Sequence, residues 1–221
     1  MYDLIINFIA DLLSNGVSHQ AKRIRDLLMQ SNVRFAILGY RSCGKTTLKN
    51  RMLGVPLKVD QPATVGEERI GSFEYVSITQ TVSVEKFSDF GGELSYWPLW
   101  DDAFTRDRPK GIIFMIDHEH LSEHTEAFKF FVDFISKNDT RWLFFKGRHV
   151  KAREQLKIIM FLVNKEDKWG RSQSMEDFLL HFSEEFDRIK TLQIPLVLYS
   201  CSVLHGTNVD VALSDFFRRM L

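Results

Sequence analysis

The stretch 33–47, "VRFAILGYRSCGKTT", limits what this chain can fold into more than any other. A short apolar run ends at Gly39, four residues follow, and Gly44, Lys45 and Thr46 then open a segment, 45–53, that reads as a helix. A buried strand that delivers such a loop to a helix N-terminus wraps backbone N–H groups around phosphate. The glycines admit close approach of the backbone, and the helix start adds its positive end. Gly39, Tyr40, Arg41, Ser42, Cys43, Gly44 and Thr47 then belong to the cradle. Lys45 faces the β- and γ-phosphates, and the Thr46 hydroxyl is a Mg²⁺ ligand.

The rest of the chain supplies the scaffold for such a loop. Two extended stretches, roughly 67–75 and 79–88, alternate in character and are expected to pair as a hairpin. "GIIFMID" (111–117), "KIIMFLVN" (157–164) and "IPLVLYS" (194–200) read as further buried strands. Between and after them, "SEHTEAFKFFVDFISK", "SMEDFLLHFSEEFDRIK" and "NVDVALSDFFRRML" read as helices. Strands alternating with helices predict an α/β fold, a mostly parallel six-stranded sheet flanked by helices, with ligands at the carboxyl ends of the strands.

Composition narrows the class. At 221 residues the chain suits one domain with an appendage, and 44% apolar residues suffice for a core. Lys+Arg and Asp+Glu both total 29, so charge gives no case for nucleic acid. Two cysteines make no disulfide framework and point to a reducing compartment. No basic leader precedes an apolar segment, and no run approaches the roughly 20 apolar residues of a spanning helix. The expectation is a soluble, cytoplasmic protein.

The other strand ends carry chemistry of their own. "DFGG" places Asp89 where it can hold Mg²⁺ through a water, and the Gly92 N–H where it can sense a γ-phosphate. "NKED" brings Asn164, Lys165 and Asp167 to the end of the next-to-last strand. A carboxylate accepts two hydrogen bonds, and guanine offers two adjacent donors, N1–H and the 2-amino group. Adenine offers neither, so a site built on Asp167 discriminates strongly between the bases. The stem of Lys165 can cover one face of the base. Ser202 and Val203, after the last strand, are expected at the same base, with the Val203 N–H donating to the guanine carbonyl.

With those motifs in place, the chain from about Val33 onwards resembles the Ras-superfamily GTPases, and within them the Arf/Sar branch. The sharpest sign is "GGELSYWPLW", which reproduces the Arf double glycine, five-residue interval and "PLW" at Pro98, Leu99 and Trp100. "CSVLHG" is similar to the Sar family. The resemblance implies a GDP/GTP switch with Mg²⁺ as cofactor and Thr64 of "QPATVG" as metal ligand and γ-phosphate sensor. Exchange-factor, GTPase-activating and effector proteins are the implied partners. The alternative is a structural subunit that holds GTP with little turnover, like the β-subunit of the signal-recognition-particle receptor.

Departures from the pattern are as informative. Glu93 stands where Arf proteins carry the glutamine, and Sar proteins the histidine, that orients the attacking water. Glu67, Ser88 and Ala103 stand where Arf effectors read aromatic residues, and the hairpin is longer. Tyr2 replaces the glycine that myristoylation requires. Arg41 occupies the loop position nearest the γ-phosphate, where Arf proteins have an aspartate. The candidate catalytic set is therefore Glu93, Arg41, Gly92 and Thr64, with Arg41 and Glu93 expected to pair or Arg41 to stabilise phosphoryl charge in cis.

The expected organisation is an N-terminal extension over 1–31 and a GTP-binding domain over 32–221, with an insert around 139–156. In the extension Ile5, Phe8, Ile9, Leu12 and Leu13 form one helical stripe. It suits either insertion of residues 1–16 into a membrane surface in the GTP state, giving reversible peripheral association, or permanent packing on the domain. The insert interleaves basic residues with Trp142, Phe144 and Phe145, and fits either a contact surface or an ordinary solvated face. "DHEHLSEH" (117–124) reads as a polar loop rather than a metal site.

Overall fold

Alternation within the strands sets up the sheet. In β1 (Val33–Leu38) the side chains of Val33, Phe35 and Ile37 join one apolar cluster, and those of Ala36 and Leu38 join the other. β5 (Gly111–Ile116) and β8 (Ile158–Val163) repeat the pattern, with Ile112, Phe114, Ile159 and Phe161 on one side and Ile113, Met115, Met160 and Leu162 on the other. Period-two alternation with both sets apolar requires helices on both faces.

In this computed structural model the described residues are 33–58, 62–76, 81–140, 143–145, 148–150, 155–170 and 174–221. Val33–Leu221 form one compact unit. The amphipathic stripe of 1–16 lies outside the described residues, as do the side chains of 138–154 in the insert. There the described backbone forms a small antiparallel pair, β6 (Leu143–Phe145) with β7 (Arg148–Val150).

The remaining strands are β2 (Glu67–Ile70), β3 (Phe73–Val76), β4 (Thr81–Phe90) and β9 (Leu196–Ser200). Sheet order is β2-β4-β1-β5-β8-β9, with β3 also on β4. β4, β1, β5, β8 and β9 are mutually parallel, while β2 and β3 run antiparallel to β4. The sheet thus has seven strands where six were expected, because pairing lapses at Gly71 and Ser72. Register carries straight across that gap, with Ile70 opposite Phe87 and Phe73 opposite Val84. β1 has a parallel neighbour on each side, so the loop after it lies at the topological switch point, where such sheets bind ligands.

The helices are α1 (Lys45–Met52), α2 (Pro98–Asp107), α3 (Leu121–Thr140), α4 (Met175–Leu180), α5 (Ser183–Thr191) and α6 (Val209–Met220). α4 and α5 correct the expectation of one helix over their combined span. The chain leaves helical geometry at Phe182 (φ −117°, ψ 9°), whose ring is buried 4.9 Å from that of Phe161. Tertiary packing overrides local periodicity there. Among the described residues, no helix is long and apolar enough to cross a membrane.

Phe161 is the hub of the aromatic layer, with Phe128 at 4.9 Å and Phe186 at 5.0 Å as well as Phe182. Phe161→Ala should cost about 3–5 kcal/mol, because the surrounding rings are too rigid to close the cavity. Urea unfolding would show it as a lower midpoint with an unchanged slope.

Candidate functional site

Four strand ends empty into one cavity of about 400 Å³, within the range of small-ligand sites. Arg41, Ser42, Gly44, Lys45, Thr46 and Thr47 line it from the loop after β1 and the start of α1. Thr64 reaches it from the segment before β2, and Gly92 and Glu93 from the segment after β4. Asn164, Lys165, Asp167 and Ser202 close the far end. Gly39, Tyr40 and Cys43 form the loop without facing the cavity.

The loop is held in backbone conformations that ordinary residues avoid. Gly39 has φ +139° and Gly44 φ +100°, and a Cβ on Gly44 would fall 2.2 Å from Asn164 Nδ2. Lys45 is buried, and its Nζ donates to the carbonyls of Gly39 (2.9 Å) and Tyr40 (2.7 Å). Arg41, Lys58 and Lys168 join Lys45 and Lys165 on the wall, so five cationic side chains face two acidic ones, Glu93 and Asp167. That balance suits a polyanion. Lys58 and Lys168 were not picked out from the sequence, since neither belongs to a spaced motif.

Behind the loop, three oxygen donors converge. Thr46 Oγ1 lies 2.8 Å from Thr64 Oγ1 and donates to Asp89 Oδ2 at 3.0 Å, and Thr64 Oγ1 donates to the same oxygen at 3.3 Å. Asp89 is fully buried, and its Oδ1 has no hydrogen-bond partner among the described residues. Burial pushes its carboxyl pKa up, against the pull of Lys45 and the Thr46 hydrogen bond. Two hydroxyls and a carboxylate with an unpaired buried oxygen fit a hard cation such as Mg²⁺.

At the far end of the cavity, Asn164 is a brace. Its Nδ2 donates to the Cys43 carbonyl and its Oδ1 accepts from the Val203 N–H, each at 2.9 Å. In this structure the Val203 N–H, expected at the base, donates to Asn164 Oδ1, and the Val203 side chain is fully buried. Leu204, the next residue, lines the cavity instead. Asp167 carries a carboxyl pKa below the usual range, chiefly through its hydrogen bond with Ser202, and so faces the cavity ionised at neutral pH.

Lys165 (φ +59°) sets its Nζ 2.6 Å from Asp117 Oδ2 and 2.9 Å from Glu119. Asp117 also meets His124 Nε2 at 3.0 Å, and both residues are buried. Burial raises the Asp117 pKa, but its hydrogen bonds to His124 and Lys165 outweigh that and leave it lowered. Burial lowers the His124 pKa, which leaves the ring neutral. The polar run 117–124 therefore orients the Lys165 stem. Both cysteines are buried, and burial raises their thiol pKa values, that of Cys201 to about 12, so neither is a reactive thiolate.

Arg41 and Glu93 are both exposed and share the cavity wall, but no ion pair joins them; the Arg41 guanidinium lies 5.6 Å from the centre of the Tyr40 ring. Gly92 packs so tightly on the loop that a Cβ there would meet the Arg41 backbone N at 2.2 Å. Trp97 donates its indole N–H to the Gly92 carbonyl at 3.2 Å and fixes that contact from behind.

The family model described as ADP-ribosylation factor family matches residues 20–220. No curated protein matches the chain. A match of that extent, running from before β1 to the end of α6, makes this chain a member of the ADP-ribosylation factor family of small GTPases.

Proposed function

We propose that the protein is a Mg²⁺-dependent guanine-nucleotide switch that binds GTP, hydrolyses its γ-phosphate and uses the difference between the two nucleotides to control membrane association and effector recruitment. The observation that carries the reading is the convergence of two separate segments on one cavity. Thr64 reaches the Thr46 hydroxyl from one side, and Gly92 rests on the Arg41 backbone from the other. A ligand with differential contacts to both segments biases both at once. Asp167 supplies guanine selectivity, and the loop after β9 borders the base through Ser202 and Leu204, both on the cavity wall. Residues 1–16 provide the membrane contact.

The effector surface differs from the Arf pattern. Glu67 Oε1 accepts from Ser88 Oγ at 2.8 Å and from Arg106 Nη2 at 2.5 Å, so a polar cluster occupies two positions where Arf proteins present aromatic rings. The effector it recruits accordingly meets a charged rather than an aromatic face at these positions.

A second reading has one observation in its favour. Glu93 is a carboxylate at the place of the water-orienting residue, and a protein that holds GTP without turnover tolerates it there. Nucleotide content of the purified protein and single-turnover hydrolysis separate the two. Exchangeable GDP with measurable turnover is expected, and bound GTP without turnover would sink the switch. Arg41→Ala in the same assay should slow hydrolysis by about 10³-fold if its guanidinium stabilises the transferring phosphoryl group. An unchanged rate with unchanged GTP affinity would remove Arg41 from the mechanism.

A further inference from the structure

α1 carries a second buried lysine that the phosphate loop does not use. Lys49 is 5% exposed, and its Nζ donates to Glu68 Oε2 at 2.6 Å and stands 3.8 Å from Asp89 Oδ2. Asp89 is the carboxylate of the proposed cation site, and Glu68 is its cross-strand neighbour in the β2–β4 ladder. A fixed ammonium therefore sits directly behind a site that would take a divalent cation. Buried as it is, its charge is poorly screened by water.

On the proposed reading of the site, we propose that Lys49 is a built-in counter-cation for Asp89 that weakens Mg²⁺ binding and lets the protein retain nucleotide with less dependence on the metal. Two cations compete for the negative charge of one carboxylate. The ammonium already satisfies part of it, so less remains to attract Mg²⁺, and less is left uncompensated when Mg²⁺ departs. Glu68 sets the strength of the effect. Its carboxylate draws the Lys49 ammonium to 2.6 Å and offsets its charge, so that Asp89 feels only a part of it. The arrangement makes opposite predictions for the two partners, which a merely structural ion pair does not.

The test is Mg²⁺ titration of the full chain loaded with a fluorescent GDP analogue, together with the rate of analogue release after EDTA. Lys49→Met should tighten Mg²⁺ binding about tenfold and make EDTA accelerate release more steeply than in the wild type. Glu68→Gln should move Mg²⁺ affinity the other way, because the ammonium loses its offsetting charge. Lys49→Arg, which keeps the charge, should stay close to wild type and separates charge from packing. Mg²⁺ affinity that is the same in all four proteins, or that shifts the same way in Lys49→Met and Glu68→Gln, overturns the inference and leaves the nucleotide switch intact. Wild-type protein that fails to bind the analogue even with saturating Mg²⁺ overturns the guanine-nucleotide reading, and this inference with it.

Discussion

Asp167→Asn should weaken GTP binding by about 10³-fold or more, since a site built around a paired hydrogen-bond acceptor rejects a mismatched partner by several orders of magnitude. The carboxylate is ionised at neutral pH, as an ordinary aspartate is, and its hydrogen bond with Ser202 holds its pKa lower still. On the proposed reading, both of its oxygens accept from adjacent donors on guanine. An asparagine keeps one acceptor and turns an N–H₂ group toward the other donor, so one hydrogen bond becomes a repulsion. Xanthosine triphosphate, which carries a carbonyl where guanine has its 2-amino group, restores the match and should gain affinity for the variant. ATP should gain nothing. Competition against a fluorescent GDP analogue measures all three. Equal GTP affinity in variant and wild type would remove Asp167 from base recognition and, with it, the main support for guanine over adenine.

Gly92→Ala should lower single-turnover hydrolysis by at least about 10²-fold while GDP affinity changes only a few-fold. The added Cβ would sit 2.2 Å from Arg41 N, 2.4 Å from Tyr40 C and 2.6 Å from Arg41 Cα. All three are backbone atoms of a loop already held by Lys45 and Asn164, so they cannot yield as a flexible side chain does. The segment bearing Gly92 and Glu93 must then retreat from the phosphate loop. A displacement of about 1 Å at reacting groups is enough to cost about 10² in rate. The lysine cradle and the base loops do not pass through Gly92, which is why GDP binding is spared. Hydrolysis at the wild-type rate in this variant would mean that the segment takes no part in the reaction.

Several parts of the fold were legible in the residues because they are local. The loop from Gly39 to Thr47 is contiguous, and its glycines and lysine state their geometry directly. Short apolar runs at β1, β5 and β8 specified buried strands. Two local readings failed for different reasons. The helix expected from Ser174 onwards breaks at Phe182, whose buried ring packs on Phe161 and outweighs the helical pattern. The first hairpin arm pauses at the exposed Gly71 and Ser72, where a glycine weakens the strand locally.

The α/β class, most of the strands and helices, the phosphate loop and the motif residues that reach the cavity are written in adjacent positions with a fixed period or spacing, and were legible for that reason; α2 and the β6–β7 pair were not. How those residues divide their work depends on packing between distant segments. Asn164 is a brace between Cys43 and Val203, 121 and 39 residues away, and that brace withdraws the Val203 N–H and leaves Leu204 on the wall. Lys58 and Lys168 add charge to the cavity from outside any motif. Lys49 finds Glu68 and Asp89 only when α1 packs against the β2–β4 ladder. A hydrogen bond or an ion pair depends on distances of a few ångströms between atoms, and separation along the chain does not set those distances. Burial then decides how much each charge counts.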